Sequence, residues 1–301
     1  MPINTGNIAK LLMPGLNQIW GDGYTDYPMQ YVDLFDVTTS EKNYEEDQLL
    51  PGFGLAPIKT EGAPVTYDTL SQGLTSRYTH VAYAKGFVVT REAIADNQYK
   101  SKALSGTKKL ARSFRQTKEN VGANVYNRGF SGSYLGADGV ALFSTAHPTI
   151  AGNQSNTQAT AADLSEASLE DMVVQIQTAT DEQGLKIALM AKSLIIPPQL
   201  QFEAARILKS VGQNDTANNA VNALRSLGIL QNAPKVNYYL TDTDAWFVRT
   251  DADNGMRFFQ REAAEFANDN DFDTYNLKFK GYERYSAGWT DFRGAFGSQG
   301  A

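Results

Sequence analysis

The sequence predicts an α+β protein built on one long helix, with strands crossing it and a compact α/β unit beside it. Three observations carry this. After Thr90 a helical tract shows one narrow apolar stripe, Leu110, Phe114, Val121 and Val125, with Thr117 filling the gap. Near the end, Tyr275, Leu277 and Phe279 alternate with Asn276, Lys278 and Lys280, the pattern of a half-buried strand. Between these, helix-like and strand-like stretches follow one another from Ser168 to Gln260.

The 301 residues suffice for about two domains. Fifteen Tyr and 15 Phe suit packing between chains as well as within one. A formal net charge of −6 argues against a nucleic-acid binder acting through the whole molecule. The absence of cysteine excludes disulfides, thiolate metal sites and Cys nucleophiles. Met1-Pro2-Ile3-Asn4 has no basic region followed by an apolar run, and no stretch of about 18 apolar residues occurs. A soluble protein made in a cytoplasm is therefore expected, with no membrane partner.

In chain order, residues 1–45 read as an irregular arm that docks elsewhere, conceivably on a neighbouring chain. It holds a short helix over Ile8–Met13, stopped by Pro14-Gly15, and an extended Tyr27–Tyr31. An acidic run covers 41–47. Residues 51–75, rich in Gly, Pro, Ser and Thr, read as a projecting hairpin with strand pieces at Pro57–Thr60 and Val65–Tyr67. Its return limb is Arg77–Ala84. Thr90 then caps the long helix, with Glu92 in its first turn. A break is expected near Ser105-Gly106 and fraying near Gly122, because glycine weakens helices. Lys108, Lys109, Arg112, Arg115, Lys118 and Glu119 lie on the other faces of the long helix.

Beyond Ser131 a turn-rich exit and an uncharged loop, Asn153–Thr160, precede the compact unit. Ser168 opens a helix with the face Leu169, Met172, Val173 and Ile176, ending by Gly184. Ser193–Ile196 is a buried strand stopped by Pro197-Pro198. Gln199–Ser210 is a helix with Phe202, Ala205 and Leu208 inward. A polar loop, Asn214–Asn219, and a short helix, Ala220–Leu227, follow. Val236–Thr241, Trp246–Thr250 and Met256–Gln260 are strands. Gly281 interrupts the last strand, and Tyr282, Tyr285, Trp289 and Phe292 close the chain against earlier elements.

Candidate chemistry is sparse. His80 and His147 read as one packed and one loop histidine, with no partners for a triad or a metal site. Asp269, Asp271 and Asp273 alternate like the start of a calcium loop. Thr274 stands where that turn needs Gly, however, and no Glu follows at the twelfth position. An acidic turn before a strand is the simpler reading. The basic residues from Lys100 to Lys118 admit three readings: a nucleic-acid contact, a solvated face, or pairing with the acidic 41–47 segment of the same or a neighbouring chain. No phosphate-binding glycine motif is present, and neither an enzyme nor a cofactor is expected.

The sequence resembles the major capsid proteins of tailed phages, closest to the Mu-type head subunits. Three stretches carry the resemblance: Glu61–Val65 with Arg77–Ile94, Ala141–Pro148, and Phe266–Thr274 with Lys278–Gly294. It implies an HK97-like fold of four parts. These are an N-terminal arm (1–45), an extended loop (46–90), a peripheral domain with the spine helix (91–139 and 262–301) and an axial domain (140–261). It implies a subunit that self-assembles through hexamers and pentamers into an icosahedral shell around double-stranded DNA, in the virion. Implied partners are copies of itself, a separate scaffolding protein, a portal, a decoration protein, and packaged DNA contacted without sequence preference. No charged helical segment precedes the arm, so a fused scaffold is not expected. Tyr27, Tyr31, Phe53, Lys59, Glu61, Tyr67 and Arg77 are the expected contacts between subunits. Lys59 would be placed for a covalent crosslink, but nothing identifies an acceptor and none is predicted. The rival readings are an encapsulin-like compartment, a calcium-dependent binding or hydrolytic protein using Asp269–Asp273, and a soluble nucleic-acid binder.

Overall fold

A computed structural model describes residues 5–69, 72–95, 99–212, 221–230, 234–271 and 273–301, without the side chains of 5–14, 94–95 and 99–102. Helix α1 (Thr5–Thr25) and the single turn α2 (Tyr31–Leu34) form the arm, followed by strands β1 (Asp36–Thr39) and β2 (Tyr44–Gln48). Strands β3 (Thr75–Thr79) and β4 (Val81–Val89) lead into helices α3 (Arg91–Ala95) and α4 (Tyr99–Asn127). A small hairpin, β5 (His147–Thr149) and β6 (Gly152–Gln154), precedes α5 (Glu166–Gln177) and β7 (Ala191–Ile196). Then come α6 (Gln201–Lys209), α7 (Ala223–Ser226), β8 (Lys235–Val236), β9 (Trp246–Thr250), β10 (Met256–Asn270), β11 (Leu277–Trp289) and β12 (Ala295–Ser298).

Two four-stranded sheets organise these elements. One runs β1-β10-β11-β4, with α4 across its inner face and α1 packed on α4. The other runs β12-β9-β7-β8 and buries its apolar side on α5, α6 and α7. The polypeptide passes between the sheets twice late in the chain. Residues 36–39 and 256–261 belong to the first sheet, and 295–298 to the second. The predicted strand Met256–Gln260 is only the first third of β10. Register shifts between Gln260 and Glu262, and between Glu262 and Glu265, break the alternation that would have shown the rest.

The spine helix α4 runs unbroken past Gly106 and Gly122, against expectation. Both glycines are contact points. A Cβ on Gly106 would come within 2.8 Å of the Phe87 ring, and one on Gly122 within 3.2 Å of Tyr31 Cβ. Gly281 does not interrupt β11 either. A Cβ there would lie 2.7 Å from Phe114 and 2.8 Å from Trp20. The sheet thus meets both helices at one of the two glycines of β11. Beside it Phe279 packs with Leu16, Val89 and Ala103, so the closing strand does lie under the spine.

Helix α1 also passes through Pro14-Gly15, the predicted stop. Proline removes one N–H and strains one turn. The second half of α1 is held by burial of Leu16 and Trp20 against α4, which outweighs that local penalty. In the second unit, Leu169, Met172, Val173 and Ile176 are buried as expected, but Ser165 is the N-cap of α5, with Ser168 completing a capping box. Gly184 ends no helix; it takes φ +85° in the turn Asp181–Leu185. On α6 the buried residues are Ala204 and Ile207, while Phe202 is 71% exposed. The predicted polar loop Asn214–Asn219 lies outside the described residues.

His147 is not a loop histidine. It is buried in β5, stacked on Phe292 with ring centroids 3.9 Å apart. Its Nδ1 lies 2.6 Å from Asp138 and its Nε2 3.1 Å from Asn156 Oδ1. Asn156 in turn donates to the carbonyls of Leu142, Phe292 and Ala295. His80 is packed, as expected, between Ser40 and Ser286.

Candidate assembly surfaces

The hairpin of residues 44–79 has a rigid root and an unsupported end. Strands β2 and β3 pair from Tyr44↔Thr79 to Gln48↔Thr75. One further bond, Leu49 N–H to the Leu74 carbonyl at 2.8 Å, closes the ladder. There Gly73 crosses so near the Leu49 carbonyl that a Cβ would sit 1.8 Å from it. Beyond this point a single side-chain bond, Gly54 N–H to Asp68 Oδ2 at 3.2 Å, links the described residues of the two limbs. The strand pieces expected at 57–60 and 65–67 do not form, and no ladder joins the described residues of the two limbs. A turn at Thr60–Ala63, with Gly62 at φ +80°, makes the tip. Ile58 is 96% exposed, Tyr67 91% and Leu55 81%, with Leu50, Phe53 and Val65 also exposed. So many large apolar side chains in water on one projection mark a surface meant to be covered.

The expected contact residues lie in four places. Phe53, Lys59, Glu61 and Tyr67 all lie exposed on this loop. Arg77 sits at its root, 3.2 Å from Glu46 and over the Tyr44 ring. Tyr27 is on the exposed link between α1 and α2, under Arg112. Tyr31 is a correction: it is only 6% exposed and belongs to the subunit's own core, 4.8 Å from the Phe258 ring. Its aromatic character signalled burial, and the short arm gave no means of telling whose core it enters.

Beneath the arm lies a charge cluster, three of whose members stand off the apolar stripe of α4. Arg115, Lys118 and Glu119 of α4 are buried, as is Glu283 of β11. Glu119 accepts the backbone N–H groups of Gln30 and Tyr31 at 3.1 and 2.8 Å, fixing the start of α2. Lys118 Nζ stands 3.7 Å from Glu283 and also donates to Gln260, while Tyr24 Oη donates to Glu283 at 3.0 Å. Burial pushes the carboxyl pKa of Glu119 and Glu283 up and the Lys118 ammonium down. Burial, then the Glu283 charge, pushes the Tyr24 phenol up. Glu283 was legible in one respect: Phe279, Gly281, Glu283 and Tyr285 share the inward face of a strand by alternation alone.

Several other charges among the described residues are engaged within the chain. Lys108 pairs with Asp26 at 3.1 Å, so the cationic side of α4 faces the arm. In the acidic segment, Glu46 pairs with Arg77 and Asp47 with Arg257, while Glu45 accepts from Ser40 and Lys42. These bonds, Ser40 first, hold the Glu45 carboxyl below its ordinary range. At the β10–β11 turn, Asp269 accepts its neighbour's N–H, and Asp271 is taken by Thr274 and Lys278. Among the described residues no group of three His, Cys, Asp or Glu side chains is placed to hold a metal ion. No helix among them is long and apolar enough to cross a membrane.

Residues 73–297 match the family model described as phage capsid protein. No curated protein sequence matches the chain. Three solved structures are similar in fold at 12–13% identity. A virus-like particle from Pyrococcus furiosus aligns with TM-score 0.57 at 12% identity, over 94% of this chain and 97% of that one. The procapsid of bacteriophage JBD30 aligns with TM-score 0.53 at 13% identity, over 98% and 76%. The capsid of Myoviridae phage XM1 aligns with TM-score 0.52 at 12% identity, over 91% and 92%.

Proposed function

The chain belongs to the phage capsid protein family, with an HK97-like fold, and from that premise we propose that its activity is assembly. It is the repeating subunit of an icosahedral shell, built from hexamers and pentamers, that encloses the double-stranded DNA of a tailed phage. It works in the virion after assembly in the host cytoplasm, as a structural protein to which we assign no catalysis. The sheet carrying α4 is the peripheral domain, the sheet carrying α5 the axial domain, and residues 49–74 the extended loop.

The observation that carries this reading is the loop. Leu50, Phe53, Leu55, Ile58, Val65 and Tyr67 stand in water on a projection without a ladder of its own. Covering six such side chains is worth on the order of 10 kcal/mol before ordering costs. Fixing each loop residue costs about 1–2 kcal/mol, so a single contact yields little. Repetition by symmetry turns many such contacts into a stable shell. Phe53, Lys59, Glu61 and Tyr67 are the proposed contacts on a neighbouring subunit, with Tyr27 and Arg77 at the arm and loop root. A separate scaffold, a portal and a decoration protein are the proposed heterologous partners.

Replacing residues 52–72 by a short Gly-Ser turn keeps the β2–β3 ladder and the Leu49–Leu74 bond. The expected product is a soluble subunit that forms no particles in electron micrographs. Normal particles from this variant would remove the loop from assembly. Nucleic acid inside purified particles supports the genome-shell reading, and a protein cargo without DNA would favour an encapsulin-like compartment.

A further inference from the structure

The charge cluster beneath the arm is an odd way to hold two elements together. Four ionised groups, two of each sign, are removed from water where a row of leucines would fill the same space. Their bonding is incomplete. The Arg115 guanidinium lies 3.2 Å from Glu119, yet none of its three nitrogens makes an aligned hydrogen bond. Glu283 Oε1 and Tyr285 Oη are buried without a partner among the described residues. Desolvating charges costs more than their attraction returns unless every polar atom is satisfied.

We propose that the arm, α1 with α2, is a releasable clasp: Arg115, Lys118, Glu119 and Glu283 fix where it docks while keeping the docked state close in free energy to the undocked one. Position is specified because Glu119 takes two particular backbone N–H groups, and Glu283 takes one particular phenol. Ease of release follows because undocking returns four charges to water. The apolar contacts of Leu16 and Trp20 oppose this and keep the arm down at rest. The link between the helices, residues 25–29, is already exposed and can act as the hinge. The inference concerns the single subunit and stands whether or not the shell reading is right.

Acidification tests this with a sign that distinguishes a clasp from a glue. The docked state holds the carboxyl pKa of Glu119 and Glu283 above their values in water. Docking therefore takes up protons at these carboxyls, and lowering the pH through their range favours the docked arm, while the Lys118 ammonium, lowered by burial from its ordinary value, works the other way through its own range. Facing the cluster are Tyr24 and Tyr31 from the arm, Tyr83 from β4, Tyr285 from β11, and Tyr239 and Arg112 near Glu119. The phenols, all raised above their ordinary value, stay neutral across this range. The other charged contacts of the arm, Asp26–Lys108 and Asp33–Lys235, are solvent-screened surface pairs.

The experiment is amide hydrogen exchange over residues 16–34 in the unassembled full-length subunit, corrected for the intrinsic pH dependence of exchange. Between pH 7.5 and 5.0 protection of the arm should rise by about threefold or more. Flat or falling protection means that the ion pairs are glue, and overturns the proposal. The double substitution Lys118→Met with Glu283→Met should raise arm protection about tenfold, whereas Glu283→Ala alone lowers it. A double variant as poorly protected as the single one also overturns the proposal. Should the double variant fail to fold, the pH comparison on the unmodified protein decides by itself.

Discussion

The first sheet presses on α1 and α4 at Gly281, and replacing it with alanine should lower the stability of the subunit measurably. The Cβ would stand 2.7 Å from Phe114 and 2.8 Å from Trp20, both ring atoms. Neither ring can swing aside. Both are buried; Trp20 meets Phe114 edge-on at 5.5 Å and stacks on Phe266 at 5.2 Å. Overpacking of this kind costs about 1–3 kcal/mol. With both rings locked the upper part of that range, about 2–3 kcal/mol, applies; alanine recovers roughly 0.5–1 kcal/mol of strand propensity over glycine, leaving a net loss of about 1–2.5 kcal/mol. For a subunit of this size that is a fall of about 2–6 °C in the thermal midpoint. Calorimetry of the unassembled subunit measures it, with Gly281→Val expected to be worse. Gly15→Ala is the control: no atom lies within 4 Å of the added methyl, and helix propensity should raise stability by up to about 1 kcal/mol. If Gly281→Ala melts at or above the unmodified protein, β11 is not pressed against α1 and α4 as described, and the account of the core fails with it.

Two further predictions concern buried charge. Arg293→Met removes the cation that Glu182 and Asp291 share at 3.0 and 3.1 Å, leaving the buried Asp291 uncompensated. A loss of about 3–5 kcal/mol is expected by urea denaturation, and a variant within 1 kcal/mol of the parent, on the order of ordinary surface changes, contradicts that role. His80 is held neutral: burial first, then the Arg284 charge, keeps its imidazole pKa below the ordinary value. The unfolded chain therefore binds that proton more readily. The stability from His80 is full above about pH 6.5 and is lost as pH falls through the lowered folded value. The urea midpoint should drop less between pH 7.5 and 5.5 in His80→Gln than in the parent, and equal drops would exclude the imidazole as the cause.

Much of the architecture was legible because it rests on periodicity. The spine stripe, the closing alternation, the α5 face and the β7 run are local patterns, and each became an element with the expected side inward, except that Tyr275 stands exposed in the turn before β11 at φ +56°. The three glycines misread as weak points, Gly106, Gly122 and Gly281, show the limit. Glycine lowers propensity wherever it stands, and only the tertiary partner tells a break from a contact. The same holds for Arg115, Lys118 and Glu119. Their spacing put them off the apolar stripe, and nothing local shows that the arm would return over them. Of the candidate surface, the loop was legible because its composition forbids a core of its own. Tyr31 was not, since an aromatic residue in an arm fits its own subunit as readily as a neighbour's.

The loop can act on a neighbour only if its root transmits force to the body, and the structure shows how. Tyr78 Oη lies 2.5 Å from Thr290 Oγ1, and Asp47 binds Arg257 at 3.2 Å, so each root strand is bolted to the first sheet near the end of β11. Just beyond, residues 291–298 cross to the second sheet. Asn156 ties that crossing to the segment after α4 through three carbonyls, and Arg293 ties it to Glu182 and the Thr180 carbonyl. Leu49 and Leu74 line a narrow cleft with Trp289 and Phe292 at the same place. Loop root and both sheets therefore meet in one polar, hydrogen-bonded junction, where a shift of one sheet against the other must break several buried bonds at once. Such a junction does not bend gradually. A subunit made this way moves as one body from its root inward, and what it can still adapt on meeting a copy of itself is the loop beyond Leu49 and Leu74, together with the arm.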